Sequence, residues 1–135
     1  AGVGNSYPDI DGTLVVWQKA NPPNYSISSY DITAGFNAIT GATLGSEVPL
    51  FASTTELQRP NIAAGRVTWK RVITPANSLG DVYYYELASG VAFRATLLGS
   101  VSLQTAFGRP RTDGRTIVFN SSIGSYSDVL AWESP

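Results

Sequence analysis

The chain contains no cysteine, no histidine and no methionine among its 135 residues. Without cysteine there is no disulfide, no zinc–thiolate centre and no thiol nucleophile. Without histidine the commonest general base and metal ligand is missing. Charged residues are scarce, at 14% against about a quarter in an ordinary soluble domain. The formal net charge is −1, so no global field draws nucleic acid or anionic lipid. No apolar run approaches the roughly 18 residues of a spanning helix. Phosphate-cradling glycine loops, nucleophile elbows and dinucleotide fingerprints do not occur. These absences lead to an expectation of no cofactor, no nucleic-acid partner and no membrane insertion. The first residue is Ala rather than Met, as expected of a mature form after signal-peptide removal or of an excised fragment.

What is present suits strands and turns. Hydrophobic residues reach 43%, enough for a core, and Ser, Thr, Asn, Gly and Pro fill much of the rest. A hydroxyl-rich surface of this kind points to a secreted or cell-surface protein. Asn24-Tyr25-Ser26 and Asn120-Ser121-Ser122 fit the N-glycosylation acceptor pattern. Charge is spread unevenly. Residues 1–58 carry Asp9, Asp11, Asp31, Glu47 and Glu56 against Lys19, whereas residues 59–135 carry eight bases against five acids. The asymmetry fits either solvated faces or head-to-tail attraction between copies.

A ten-residue block occurs three times: PDIDGTLVVW at 8–17, PNIAAGRVTW at 60–69 and PRTDGRTIVF at 110–119. Each begins with Pro, carries a β-branched residue at positions three and eight, and ends in Trp17, Trp69 or Phe119. Gly12, Gly65 and Gly114 sit mid-block, where a hairpin turn needs positive φ. After the turn, positions eight and ten share a face, because side chains alternate with period two. A second block follows: ISSYDITAG at 27–35, VYYYELASG at 82–90 and VLAWES at 129–134. It supplies a third strand with Tyr30, Tyr85 or Trp132 followed by Asp31, Glu86 or Glu133. Residues 48–52 and 101–104 read as fourth, outer strands. Residues 34–43 are the nearest approach to a helix, and Gly35 and Gly41 argue against one.

Four strands in about 50 residues is the pattern of a propeller blade. The run Tyr7-Pro8-Asp9-Ile10-Asp11-Gly12, then Val15-Val16-Trp17, then Tyr30-Asp31-Ile32-Thr33-Ala34-Gly35, resembles the TolB-type propeller repeat of secreted and cell-surface proteins. The resemblance implies that the Pro segment is the innermost strand of each blade. The expected fold is therefore all-β, with three four-stranded propeller-like blades at approximately 6–52, 59–104 and 108–135. The blades would be completed by oligomerisation or would form part of a larger propeller. Self-association could be a dimer closing a six-bladed ring, with residues 1–5 pairing as the outer strand of the partner's third blade. It could also be a head-to-tail polymer.

Candidate chemistry is sparse. Asp9 and Asp11 share a strand face and are the only obvious carboxylate pair for glycoside chemistry, with turn capping beside Gly12 as the plainer role. Asp31, Glu86 and Glu133 recur at one repeat position, where a structural acceptor is the plainer role. Trp17, Trp69, Phe119, Tyr30, Tyr85 and Trp132 read as inter-blade packing. Tyr83 and Tyr84 alternate, so one should meet solvent. The longest inter-strand loop is expected over residues 70–80. The candidate ligand-binding set is Tyr25, Tyr84, Asn77, Lys70, Arg71 and Tyr126. The expected function is a non-enzymatic module binding a glycan or protein through repeated loops. The alternatives are a filament subunit assembled by strand exchange and a carboxylate-dependent glycoside-active enzyme.

Overall fold

The computed structural model describes residues 3–74, 79–96, 105–123 and 126–133, with the backbone alone at residues 74, 79, 105–109, 121–123 and 126–128. Eleven strands appear in this order: β1 Gly4–Asp11, β2 Leu14–Asn21, β3 Asn24–Asp31, β4 Val48–Ser53, β5 Leu57–Ala63, β6 Arg66–Thr74, β7 Leu79–Glu86, β8 Val91–Arg94, β9 Thr105–Thr112, β10 Thr116–Ile123 and β11 Tyr126–Glu133. They form three antiparallel blades, β1–β4, β5–β8 and β9–β11, with a single parallel bridge from Gly80 to Ala106 between the second and third. The only helix among the described residues is a 3-10 turn at Ile32–Ala34. The second blade's outer strand is β8, and the expected strand at 101–104 lies outside the described residues. Gly4 and Asn5 pair with Ala20 and Lys19 of their own blade.

The ten-residue blocks form the expected hairpins. Gly12, Gly65 and Gly114 all adopt positive φ. In β2 residues alternate between two faces, and the same holds in β6 and β10. The front face carries block positions eight and ten, and the back face carries position nine. The core between the first and second blades contains Val16 and Ile27 from the back of one and Leu57, Ile62, Val67 and Trp69 from the front of the next. The core between the second and third contains Val82, Tyr84 and Ala95 behind, and Ile117 and Phe119 in front. Trp69 is fully buried. It meets Phe51 at 5.0 Å and stacks on Tyr83 at 6.0 Å between ring centroids.

Proline explains a second repeated feature. It has no N–H to give the ladder, and inside a sheet it is confined to edges, strand starts or bulges. The pairing of β1 with β2 jumps between Ser6 and Asp9, that of β5 with β6 between Gln58 and Asn61, and that of β9 with β10 between Gly108 and Arg111. In each blade the residue before Pro and the Pro itself bulge opposite the aromatic at position ten. Tyr7 and Arg59, which precede Pro8 and Pro60, take φ of 53° and 54°. This left-handed conformation costs a non-glycine residue about 1–3 kcal/mol. The Arg59 N–H, displaced by the bulge, donates to Gln18 Oε1 at 3.3 Å across the blade boundary.

The inner strands are joined blade to blade by block position two. Asp9 Oδ2 accepts from the Ile62 N–H at 2.8 Å and from the Asn61 amide. Asn61 Oδ1 in turn accepts from the Thr112 N–H at 2.7 Å. Asp9 therefore serves the next blade rather than its own turn. The expected turn-capping role falls to Asp113, which accepts from Arg115 and Thr116 N–H at 2.8 and 2.7 Å.

Trp69 Nε1 is buried without a hydrogen-bond partner among the described residues, which costs about 1–3 kcal/mol. Chemical denaturation of Trp69→Phe should show stability close to the parent, since loss of the orphan donor offsets the smaller ring. Trp69→Ala should lose about 3–5 kcal/mol. At Gly114, with φ near 97°, an added Cβ would lie 2.4 Å from the Ala64 Cβ at the neighbouring hairpin tip. Gly114→Ala should lower stability by at least about 1–2 kcal/mol from the backbone alone, measured the same way.

Candidate functional site

The bulges re-aim their side chains toward the place where the inner strands converge. There Tyr7, Pro8, Arg59, Pro60, Pro110 and Arg111 line a cleft of about 390 Å³, within the size range of ligand sites. All six come from the bulged segments or block position two. The Arg59 guanidinium lies over the Tyr7 ring at 5.0 Å, so the two strained residues brace each other. Among the described residues two guanidiniums line the cleft and no carboxylate does. The nearest repeat-position acid, Asp9, is engaged by Asn61 and Ile62. The cleft is thus locally cationic in a chain of net charge −1, with planar donors suited to a carboxylate or another oxyanion.

The sequence-derived candidates are not brought together. Lys70 and Arg71 lie in β6 rather than in a loop, because that strand runs on to Thr74. Lys70 is buried. Burial, with Arg59 nearby, holds its ammonium below the usual lysine range, and Glu56 offsets part of this. Arg71 donates to Thr55 Oγ1 at 2.9 Å and to the Tyr83 hydroxyl at 3.2 Å, so its fork is occupied inside the blade. Tyr84 is only 6% exposed and packs on Trp132 at 4.9 Å. Tyr83 faces the opposite way, onto Trp69. Alternation holds, but a middle blade has no solvent face, so neither tyrosine is a surface platform. Asn77 and the Tyr126 side chain lie outside the described residues.

Tyr25 is half-buried and packs partly on the first core. It also lines a shallow cleft of about 450 Å³ with Asn21, Asn24, Ser26, Ser28 and the Lys19–Glu47 ion pair, whose separation is 2.7 Å. The longest connection among the described residues is 32–47, between β3 and β4, not the expected 70–80. Tyr30 holds it: the hydroxyl donates to the Gly35 carbonyl and accepts from the Gly45 N–H at 3.1 Å, and the ring meets Phe36 at 5.2 Å.

Two of the recurring acids, Asp31 and Glu86, are structural acceptors. Asp31 takes Thr33 N–H and hydroxyl bonds at 2.9 and 2.7 Å, and the backbone bond chiefly holds its carboxyl below the usual range. Glu86 is lowered first by Arg66 at 3.0 Å and then by Ser89. No cluster of three or more metal-type ligands occurs among the described residues.

Tyr7, Arg59 and Arg111, which line this cleft, are not among the sequence-derived candidates. The available signal was Pro8, Pro60 and Pro110 inside segments that otherwise read as strands.

Blades with parallel-running inner strands and shared inter-blade cores define the β-propeller fold. Consistent with this, the chain is similar to the crystal structure of TolB from Acinetobacter baumannii, with a TM-score of 0.62 and 16% identity. The match covers 98% of this chain and 30% of that one, so the chain spans about a third of its structural neighbour. No protein-family model matches the chain, and no curated protein does. No helix of the described residues is long and apolar enough to cross a membrane.

Asp81 is almost fully buried and accepts from the Thr96 hydroxyl at 2.6 Å. Burial raises its carboxyl above 3.8, against opposing effects of Thr96, Arg94 and Arg71. From the unfolded value up to the raised one, the folded chain keeps a proton that the unfolded chain has lost. Stability from this group therefore falls as pH rises through that window. Thermal denaturation of the parent and Asp81→Asn from about pH 3 to about pH 6 should show the parent losing ground to the variant as pH rises.

Proposed function

We propose that this chain is a non-enzymatic recognition module that takes a carboxylate-bearing segment of a protein partner at the cleft where the blades converge. The observation that carries this reading is the joint placement of Tyr7 and Arg59, by proline bulges, and of Arg111, at block position two, around one cleft. Strained residues persist where the surrounding structure holds them, and they cluster at binding sites. The engagement of Asp9 by Asn61 and Ile62 supports binding over carboxylate-dependent hydrolysis. The hydroxyl-rich surface supports a secreted or cell-surface setting. A glycan reading now rests on the Tyr25 cleft alone. The alternative of a filament subunit draws support from β11, whose outer edge pairs with no described strand and so offers a template for strand addition.

Fluorescence anisotropy with a glutamate-rich peptide bearing a free C-terminal carboxylate tests the proposal. Binding should weaken with added salt and with an uncharged glutamine, C-amidated version of the peptide. Arg59→Gln should raise Kd by about 10-fold or more, the worth of one charge-assisted hydrogen bond. Equal affinity for the two peptides, or an unchanged Kd in Arg59→Gln, would overturn it.

A further inference from the structure

The three blades are equivalent units, so each surface can be compared with its counterparts. Val129 pairs with Asn120 across β10 and β11, as Ile27 pairs with Gln18 and Val82 with Lys70. Ile27 and Val82 are 0% exposed, whereas Val129 is 80% exposed. Val118, at the same block position as the fully buried Val16 and Thr68, is also exposed. The back of the third blade is thus an inter-blade face that no described residue covers. The front of the first blade is the matching half. Ile10 is 54% exposed where its counterpart Ile62 is 5%. Val15 and Trp17 are half-buried where Val67 and Trp69 are fully buried. A cleft of about 250 Å³ opens beside Val15 and Trp17, lined also by Asn5, Ser6 and Pro8.

The geometry points to a second copy of this chain as the occupant of both faces, in a closed six-bladed dimer. Charge at block position two selects this occupant. In the first junction Asp9 of one blade meets Asn61 of the next. Carrying that relation past the third blade sets Arg111 against Asp9 of the second copy, so a guanidinium meets a carboxylate. Arg111 cannot accept from a backbone N–H as Asp9 and Asn61 do, so the junction exchanges a backbone hydrogen bond for an ion pair. The same contact made twice between two copies is head-to-tail and closes as a ring. Two sets of three blades give six, inside the natural range of about four to eight. Closure would also bring a second Tyr7–Arg59–Arg111 set to the same channel. The inference rests on the blade faces and on charge at block position two; it shares Arg111 with the binding reading, whose test turns on Arg59.

Light scattering after size exclusion, from low micromolar to millimolar chain, should give twice the 14.4 kDa chain mass. Val129→Glu adds a charge to a residue that the monomer leaves exposed, so the fold should survive by circular dichroism. The dimer dissociation constant should rise at least about tenfold. Val91→Glu, on the outer strand of the second blade, should leave the mass unchanged. Because the chain has no cysteine, a variant with Val15→Cys and Val129→Cys should oxidise to a covalent dimer and no larger ladder. A monomer at every concentration would assign the two faces to other blades and overturn the proposal. So would a polymer or crosslinked ladder, or a dimer indifferent to Val129→Glu. Peptide binding is measured separately, so either reading can fail without the other.

Discussion

A sheet that is apolar on both faces can exist in water only with something packed on each side. The second blade shows this constraint most clearly. Val67 and Trp69 point one way and Val82 and Tyr84 the other, and each set is buried by a neighbouring blade. Full burial of one such side chain contributes about 1.5–3 kcal/mol relative to exposure, so the two cores dominate what holds the blades together. The alternation in β6 and the burial of Lys70 both follow from a blade with no face left for solvent.

The inner strands obey a different constraint. Proline interrupts the ladder at the same place in every blade, and the two-for-one pairing there turns Tyr7 and Arg59 into the left-handed region. A large aromatic sits opposite each bulge. The repeat therefore links two functions of one motif, since the aromatic fills the space between blades and the bulge presents a side chain where the blades converge. Strain at the bulge is offset locally, by Gln18 on the Arg59 N–H and by the Arg59–Tyr7 stacking.

The blades were legible in the sequence because period two, the mid-block glycines and the terminal aromatics are local signals. The inter-blade roles of Trp69 and Phe119 followed from them. Binding residues were not legible in the same way. Tyr84 looks like a surface residue from alternation alone, and only the stacking of a third blade buries it. Lys70 and Arg71 read as loop cations until β6 is seen to continue past them. Asp9 sits beside a turn glycine in the sequence, yet its carboxylate reaches into the next blade. In each case the deciding contact spans 40 residues or more of chain, or depends on a neighbour that no local pattern names. The convergent cleft was nearer to view, since a proline within a strand already announces a bulge.

Along the inner rim, block position two runs from carboxylate to amide to guanidinium. Such a graded series gives the three blades a fixed sense of succession. Units that began as copies are no longer interchangeable. Duplicating the first blade in tandem would set one carboxylate against another, and doubling the third would oppose two guanidiniums. Growth of this repeat by simple tandem duplication is thereby penalised, whereas addition of the whole three-blade set preserves every neighbouring pair.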